Sequence, residues 1–371
     1  MPRKSYVSYL WNELRRGGVR APFRILWRGI SPPLSYYSGR SFPGPLHAIL
    51  IPTYRCNLSC HRCDLIRKPA EAERSGRKVL SPAEMEAAIE ELSLMGASGV
   101  GFTGGEPLVC PETLRYLGFA KEKGMLTQLS TNGLLVDEEM AEALMDVRVD
   151  SVSMSIDGLD SETHDELRNS SGSFQGTLRA IELLANMKKD GRPRIIVVTV
   201  LCESNLHQIR QIAEMVLSNG ADLFGLIPEH DSRLMAKGDK SCLALPQDRL
   251  LEADQAIDEI IHMARTTDRI DSSVAYLRRM KQCIRGQGMP FACYAGTVTL
   301  ALDCYGDIYP CFGLVQAGFK GPNIREISLQ DYWRSKELKE LRRSLRGCGL
   351  CYWNCQAELN LLYSPKAWLG R

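Results

Sequence analysis

The stretch that decides the fold is Cys56-Asn57-Leu58-Ser59-Cys60-His61-Arg62-Cys63, which places three thiols in one short segment. It follows residues 46–53, an apolar run that predicts a buried strand. Three thiolates on one loop can converge on a single metal centre. A zinc site is one interpretation, but zinc sites usually pair cysteines as C-x₂-C and need a fourth ligand. The other is a [4Fe–4S] cluster with three protein ligands, whose open iron can bind and activate a small molecule.

The overall composition is that of an ordinary globular protein. The chain has 371 residues, of which 44% are apolar and 24% charged, and this balance excludes disordered and fibrous classes. A net charge of +2 argues against a nucleic-acid partner. No apolar run approaches the ~20 residues that a membrane span needs, and arginines interrupt the N-terminal segment where a signal peptide would lie. We therefore expect a cytoplasmic chain.

The cysteines fall into two groups and a scattered remainder. Of the 13 cysteines, three form the first group and six lie near the C-terminus, at Cys293, Cys304, Cys311, Cys348, Cys351 and Cys355. An odd number of cysteines in a cytoplasmic chain argues against a disulfide framework. The remaining four are interpreted as buried small side chains: Cys110, Cys202, Cys242 and Cys283.

Short apolar runs alternate with helical patterns between residues 46 and 230. The predicted strands are residues 46–53, 99–103, 126–131, 151–156, 194–201 and 222–228. Such alternation favours parallel strands joined by right-handed crossovers. Six units are fewer than the eight of a closed barrel, so the pattern predicts an α/β fold, a partial TIM-like (β/α)₆ barrel. A doubly wound sheet is the alternative. In both folds ligands bind at the carboxyl ends of the strands.

The rest of the chain suggests three further segments around this barrel of residues 46–230. Residues 1–45 predict a basic, aromatic arm of short helices that ends in an irregular, proline-containing linker. Residues 231–290 read as a helical linker, and residues 291–371 as a small cysteine-rich module, called the appendage below.

Polar motifs follow the second, third and fourth predicted strands. They are Gly104-Gly105-Glu106-Pro107, Ser130-Thr131-Asn132-Gly133 and Ser153-Met154-Ser155-Ile156-Asp157-Gly158. Paired glycines let a backbone approach a ligand closely, and the glutamate carboxylate can accept hydrogen bonds from an ammonium group. Ser155 and Asp157 alternate along one strand, so both can face the same ligand.

Taken in this order, the cysteine spacing and the three motifs resemble the radical S-adenosylmethionine (radical SAM) superfamily. The resemblance implies that Cys56, Cys60 and Cys63 hold a [4Fe–4S] cluster. It also implies that SAM is cleaved reductively to a 5′-deoxyadenosyl radical that takes hydrogen from a substrate. Arg62 departs from the family, which usually has an aromatic or apolar residue before the third cysteine. The residues implied to contact SAM are Gly104, Gly105, Glu106, Pro107, Ser130, Asn132, Ser155, Asp157 and, through the SAM carboxylate, Arg168.

The second cysteine group resembles the SPASM and twitch modules of this superfamily, which carry auxiliary [4Fe–4S] clusters. The matching positions are Cys293, Gly306, Cys311, Cys348 and Cys351. The group has fewer cysteines than a full SPASM module, so we expect one auxiliary cluster. The resemblance implies the ligands Cys293, Cys311, Cys348 and Cys351, with Cys304 and Cys355 in reserve. A small zinc ribbon is the alternative.

The resemblance implies an enzyme with an oxidoreductase-type reaction, in which the auxiliary cluster aids oxidation or substrate binding. A peptide or a small molecule of natural-product or cofactor biosynthesis is the expected substrate, and a flavodoxin or ferredoxin the expected electron donor. One alternative is a lipid or lipid-linked substrate at a membrane surface. Another is a non-catalytic iron–sulfur or zinc protein. Glu229 and His230 follow the sixth strand, where substrate should approach, and are candidates for proton transfer.

The N-terminal arm carries a separate signal. Residues 1–40 contain eight basic residues against one acidic residue, Glu13. Basic amphipathic helices with tryptophan on the apolar face suit an anionic membrane surface, which would place the protein peripherally at the inner membrane face. The alternative is that both apolar faces pack on the barrel. The residues that share these faces are Val7, Leu10, Trp11 and Leu14 on one helix, and Phe23, Leu26, Trp27 and Ile30 on the other.

Overall fold

The structure is a computed structural model that describes residues 21–39, 44–61, 63, 65, 68–230, 244–287, 291–349 and 352–364, with side chains from residue 26 onward. Several residues that carry sequence predictions lie outside these ranges. They are residues 1–20, Arg62, Cys242 and Cys351.

Six parallel strands form the barrel sheet, as predicted. They are β1 (His47–Leu50), β2 (Gly99–Phe102), β3 (Leu126–Ser130), β4 (Ser151–Ser155), β5 (Arg194–Leu201) and β6 (Leu223–Pro228). Each pairs in parallel with its neighbour in sequence, with registers such as His47↔Gly99 and Ser151↔Arg194. All six carboxyl ends therefore lie at the same edge of the sheet.

The helices cover the outer face of this sheet and build the appendage. Those of the arm and barrel are α1 (Ala21–Ser38), α2 (Lys68–Arg74), α3 (Pro82–Leu94), α4 (Thr113–Glu122), α5 (Glu138–Asp146), α6 (Ser161–Arg168), α7 (Ser173–Met187) and α8 (Ile209–Ser218). The later ones are α9 (Leu250–Thr266), α10 (Val274–Cys283), α11 (Phe312–Gln316), α12 (Leu329–Arg334), α13 (Lys336–Leu345) and α14 (Asn354–Tyr363). Short 3₁₀ turns lie at Pro107–Val109, Glu203–Gln208 and Gln247–Arg249.

Local sequence signals explain where several helices begin. The spacing of Ser81 and Glu84 predicts a capping box at the start of α3, and it is present: the Ser81 hydroxyl accepts from the Glu84 backbone N–H, and the Glu84 carboxylate accepts from the Ser81 N–H. Apolar side chains of α9 form the predicted buried face. Its buried residues are Ala253, Ala256, Ile257, Ile260 and Ile261.

The appendage continues the barrel sheet. Its hairpin, β7 (Thr299–Leu302) and β8 (Ile308–Tyr309), turns at Gly306 as predicted, with a φ of +90° that favours glycine. Strand β7 pairs in parallel with β1, so the sheet order is β6-β5-β4-β3-β2-β1-β7-β8. The division at residues 290 and 291 stays a prediction.

Two helical segments differ from the sequence predictions. The arm was expected to become irregular at its prolines, but α1 runs through Pro32 and Pro33 to Ser38. The sequence of residues 330–345 predicts a single helix, but the helix breaks at Ser335. Its ψ of +157° ends α12, and its hydroxyl accepts from the Leu338 N–H to begin α13.

The scattered cysteines are only partly as expected. Cys202 is buried and Cys110 half-buried, and neither forms a disulfide. Cys283 is buried, as expected, but it is disulfide-bonded. Cys242 lies outside the described residues.

Among the helices that the structure describes, none is both long enough and apolar enough to span a bilayer.

Candidate active site

A cavity of about 460 Å³ opens at the carboxyl ends of the barrel strands and is called the central cavity below. It brings together the first cysteine group and nearly all the residues predicted around it. The predicted residues that line it are Cys56, Cys60, Cys63, Gly104, Gly105, Glu106, Ser130, Asn132, Ser155, Asp157, Arg168, Glu229 and His230. Pro107 is not among the described lining residues; it is buried and begins the 3₁₀ turn after β2.

The segment after β2 holds the start of the cysteine loop, residues 51–67. The Gly105 N–H donates to the Thr53 carbonyl at 3.0 Å, and the Glu106 N–H donates to the Arg55 carbonyl at 2.9 Å. A Cβ on Gly105 would lie 2.2 Å from the Arg55 carbonyl oxygen, and one on Gly104 would lie 2.5 Å from that of Thr53. From the sequence, these two glycines were expected to let a ligand approach the backbone closely. In the structure they admit the backbone of the cysteine loop.

Glu106 joins the ends of β2 and β3. Its buried carboxylate accepts from the Leu108 N–H at 3.0 Å, the Thr131 hydroxyl at 2.9 Å and the Asn132 N–H at 2.7 Å. Burial raises the pKa of Glu106, while these three hydrogen bonds oppose the shift. A carboxylate has about four acceptor sites, so Glu106 retains capacity for one further donor such as an ammonium group.

Two asparagines outside the cysteine loop donate hydrogen bonds to it. The Asn132 amide, after β3, donates to the Asn57 side-chain oxygen at 2.7 Å. Asn169, in the left-handed conformation at the end of α6, donates to the Ser59 carbonyl and hydroxyl at 3.2 and 3.1 Å. The described part of the loop is therefore held from β2, β3 and the helix that follows β4.

Asp157 and Arg168 form a largely buried ion pair. The Arg168 guanidinium donates to one Asp157 oxygen, and the Val200 N–H donates to the other at 2.8 Å. Burial disfavours the arginine charge, but Asp157 and the Cys60 thiol hold the pKa of Arg168 above its usual value. The Arg168 Nε is buried with no hydrogen-bond partner among the described residues. Arg168 was expected to pair with a ligand carboxylate; in the structure its protein partner is Asp157.

The opposite wall of the central cavity comes partly from the appendage. The His230 ring stacks on Trp353 with centroids 4.0 Å apart, and its Nε2 accepts from the Tyr352 N–H at 2.9 Å. Burial lowers the pKa of His230 to about 3, so the ring is neutral near pH 7. His230 is thus held as a neutral ring, whereas the Glu229 carboxyl remains the candidate for proton transfer at this wall.

Several lining residues were not found from the sequence. They are His47, Asp271, Phe312, Trp353 and Asn354. A signal existed for some of them. His47 and Ile49 occupy alternate positions of β1, and a polar residue on the inward side of a barrel strand is a candidate ligand contact. Phe312, Trp353 and Asn354 each lie next to or near a cysteine of the second group.

Comparison with known proteins decides the family. Residues 50–216 match the Radical SAM superfamily, and residues 293–356 match SPASM, an iron–sulfur cluster-binding domain. An AdoMet-dependent heme synthase of Methanosarcina barkeri is 30% identical over 321 residues, covering 81% of this chain and 86% of that protein. The chain belongs to the radical SAM superfamily. It is an enzyme with a SPASM domain, so the alternative of a non-catalytic metal protein is set aside.

A further relative and a solved structure are also similar to this chain. The mycofactocin maturase of Mycobacterium tuberculosis is 27% identical over 308 residues, covering 81% of this chain and 73% of that protein. The crystal structure of Streptococcus suis SuiB bound to precursor peptide SuiA aligns with a TM-score of 0.65, over 87% of this chain and 72% of that one. Its sequence is 18% identical, so this likeness shows the shared fold.

Radical SAM and SPASM domains use SAM and [4Fe–4S] clusters, and so does this enzyme. The residues that line the central cavity fit both SAM and an iron–sulfur cluster. Three half-buried thiols face a cavity that also holds buried carboxyl groups and the buried Nε of Arg168. SAM carries an ammonium, a carboxylate and ribose hydroxyls, and the lining offers acceptors and a cation that match these groups.

The structure also groups part of the second cysteine set. Cys293 and Cys311 are buried in one cluster with Leu345, against which Cys348 packs. Burial raises the pKa of the Cys311 thiol to about 12, and the nearby thiols of Cys348 and Cys355 add to the shift. Cys304 lies in a different cluster, and Cys351 is outside the described residues. Within the described ranges, no three His, Cys, Asp or Glu side chains are placed to hold a single metal ion.

A Gly105→Ala variant tests whether the backbone contact after β2 sets the cysteine loop. The added Cβ would meet the Arg55 carbonyl oxygen at 2.2 Å, so the loop must move. We expect the variant to lose about four irons per chain, the content of one cluster, and most 5′-deoxyadenosine formation. Iron analysis after anaerobic reconstitution and chromatography of the SAM products measure both.

Gly118→Ala is the matched control. Its Cβ would lie 3.7 Å from Val147, an ordinary contact, and it replaces a glycine inside α4. This variant should keep wild-type iron and turnover. Full iron content in Gly105→Ala would contradict the assignment of this contact.

Proposed function

We propose that this radical SAM enzyme oxidises a peptide or small-molecule substrate held in the central cavity between its two cysteine groups. One observation carries the proposal: the same cavity is lined by Cys56, Cys60 and Cys63 on one side and by Trp353 and Cys355 of the appendage on the other. A substrate in this space would lie next to the first cysteine group and next to Cys355 of the second.

The names of relatives support a cofactor or peptide as the substrate class. They include heme synthases, an Fe-coproporphyrin III synthase and a mycofactocin maturase, and the SuiB structure contains a precursor peptide. For this chain we propose one of these two classes, and a flavodoxin or ferredoxin as electron donor.

The proposed ligands follow the two groups. Cys56, Cys60 and Cys63 would hold the SAM-binding cluster. Cys293, Cys311 and Cys348, with Cys351, would hold one auxiliary cluster. Cys355 is the better reserve ligand, because its thiol lies near enough to Cys311 to raise the pKa of that thiol, although Cys355 also packs against the cluster that contains Cys304.

When bound, the first cluster supplies the electron that cleaves SAM to methionine and a hydrogen-abstracting 5′-deoxyadenosyl radical, and the second supplies an acceptor for the electron left on the substrate. The chain's own residues position SAM. Glu106 would accept from its ammonium, Arg168 would donate to its carboxylate, and Ser130, Asn132, Ser155 and Asp157 would contact its other polar groups, with Gly104, Gly105 and Pro107 shaping the turn. Glu229 would accept the proton that the oxidised substrate releases.

Replacing all three cysteines of the first group tests the proposed radical generator. The Cys56→Ala, Cys60→Ala, Cys63→Ala triple variant should form no 5′-deoxyadenosine with SAM and dithionite. It should lose about four irons per chain and keep the rest. Cys110→Ala, a half-buried thiol outside both groups, should match the wild type. Unchanged turnover in the triple variant would overturn the assignment.

Single replacements in the appendage should separate SAM cleavage from substrate oxidation. Cys311→Ala and Cys348→Ala should each lower iron by about four per chain, while substrate-free SAM cleavage stays within about threefold of wild type. The Cys304→Ala variant should keep wild-type iron content, because Cys304 packs in a different cluster from Cys311 and Cys348. A wild-type content of about four irons, rather than about eight, would remove the auxiliary cluster from the proposal.

We also propose that the N-terminal arm contacts an anionic membrane surface. Five apolar side chains of α1 form an exposed stripe and are 44–64% exposed: Leu26, Trp27, Ile30, Leu34 and Tyr37. The opposite face of α1 packs on the protein, where the Tyr363 hydroxyl donates to the Arg28 carbonyl and Tyr36 lies against Tyr294. Full packing of the Leu26, Trp27 and Ile30 face on the barrel was the alternative, and their exposure disfavours it. Val7, Leu10, Trp11, Leu14 and the side chain of Phe23 lie outside the described part of the arm.

The position of this exposed stripe on α1 is relevant to the alternative of a lipid or lipid-linked substrate. Helix α1 lies beside Leu46 and Val298, at the amino ends of β1 and β7, whereas the central cavity opens at the carboxyl ends. A membrane bound at α1 would therefore face away from the cavity. This favours attachment of the enzyme to a surface over modification of a lipid in that same bilayer.

Co-sedimentation with vesicles tests the membrane proposal. Wild-type protein should sediment with phosphatidylglycerol vesicles at low salt and several-fold less at high salt, because basic residues contribute. A Trp27→Ala, Ile30→Ala variant should bind several-fold more weakly, while Leu251→Ala, an exposed leucine on α9, should not. Equal recovery of all three proteins in the supernatant would leave α1 with a packing role alone.

A further inference from the structure

Both ends of the cysteine loop contact the appendage, the start at its hairpin and the end at α11. At the start of the loop, the Tyr54 hydroxyl donates to Asp303 at 3.1 Å, and its ring stacks on Tyr305. After the loop, the Lys68 ammonium donates to the Val315 carbonyl at 2.8 Å and lies 4.8 Å from the centre of the Tyr54 ring. The loop thus begins and ends against the appendage.

Asp303 is the centre of these contacts. It lies where β7 ends and is 1% exposed. One carboxylate oxygen accepts from the backbone N–H groups of Tyr305 and Asp307, at 2.9 and 3.0 Å. The other accepts from the hydroxyls of Tyr54 and Tyr309, both at 3.1 Å. One carboxylate oxygen therefore stabilises the hairpin turn, and the other connects the cysteine loop to the hairpin.

Apolar packing supports the same connection. Tyr54 and Leu65, on either side of the cysteines, share a buried cluster with Tyr305, Tyr309 and Val315 of the appendage. Cys63 packs against this cluster as well. Because a loop has few hydrogen bonds of its own, its conformation depends on such outside contacts.

We propose that Asp303 is a positioning residue for the SAM site, which holds the cysteine loop through Tyr54, so that the appendage has a structural role in SAM cleavage separate from its own cysteines. This inference rests on the proposed function of the loop. It gives the appendage two distinguishable contributions: the Asp303 contact acts on SAM binding, whereas Cys311 and Cys348 act on the later oxidation.

Tyr54→Phe removes the one hydroxyl that joins the loop to Asp303 and keeps the buried ring. We expect the KM for SAM in 5′-deoxyadenosine formation to rise about fivefold, with full iron content, because a hydrogen bond to a carboxylate is lost. In the reduced variant, the change that added SAM causes in the electron paramagnetic resonance spectrum should differ from the change in the wild type. The thermal midpoint provides a check of the fold.

Tyr309→Phe is the matched control. It removes the other hydroxyl from the same Asp303 oxygen, but Tyr309 belongs to the hairpin and not to the cysteine loop. A similar loss of stability is expected in both variants, while the KM for SAM and the spectrum should stay at wild-type values in Tyr309→Phe.

Asp303→Asn gives an independent test. The amide oxygen can still accept from the turn N–H groups, but the amide nitrogen cannot accept from tyrosine. The variant should reproduce the rise in KM, and Tyr54→Phe added to it should have little further effect, because the two changes remove one interaction.

Three results would overturn the proposal: wild-type KM and spectra in Tyr54→Phe, equal shifts in Tyr54→Phe and Tyr309→Phe, or additive effects in the double variant. Failure of the proposed function looks different, since wild-type enzyme would then form no 5′-deoxyadenosine at all.

Discussion

The contact on which the site depends is the backbone pairing between Gly105–Glu106 and the start of the cysteine loop. Residues 51–61 contain neither helix nor strand, so their polar backbone groups need partners elsewhere. The end of β2 supplies two N–H donors, and no side chain fits between the two backbones at Gly104 or Gly105. A loop placed by a strand end inherits the rigidity of the sheet, which a catalytic loop needs.

Glu106 extends this constraint to the next strand. Its carboxylate receives donors from the ends of β2 and β3, and the Asn132 side chain then returns to Asn57 in the loop. Loss of one partner would leave a buried charged group with fewer hydrogen bonds, which costs more than the bond itself contributes. The same argument holds for Asp157 and Arg168, because breaking a buried ion pair is strongly destabilising even where the intact pair adds little. These charges are thus better explained by the proposed binding of a polar ligand than by stability.

Local patterns in the sequence were sufficient for the barrel and the first cysteine group. Apolar runs located all six strands, and Ser81 with Glu84 located the start of α3, because both signals act over a few residues. Contacts between distant residues were not predictable. The packing of His230 on Trp353 joins segments far apart in the chain. The passage of α1 through Pro32 and Pro33 and the pairing of Arg168 with Asp157, 11 residues away, were also not predicted. The strand-end motifs were found from residue types, but the backbone that fills the space beside Gly104 and Gly105 could be seen only in three dimensions.

The position of β7 explains why two cysteine groups so far apart in sequence share one cavity. Since β7 runs parallel to β1, its carboxyl end places Asp303 at the edge where the cysteine loop begins. The return through β8 then leads directly to Cys311, and Cys355 at the start of α14 reaches the cavity itself. An antiparallel β7 would send this turn to the opposite edge of the sheet, away from Tyr54. The direction of one short strand therefore determines whether the appendage can contact the cysteine loop.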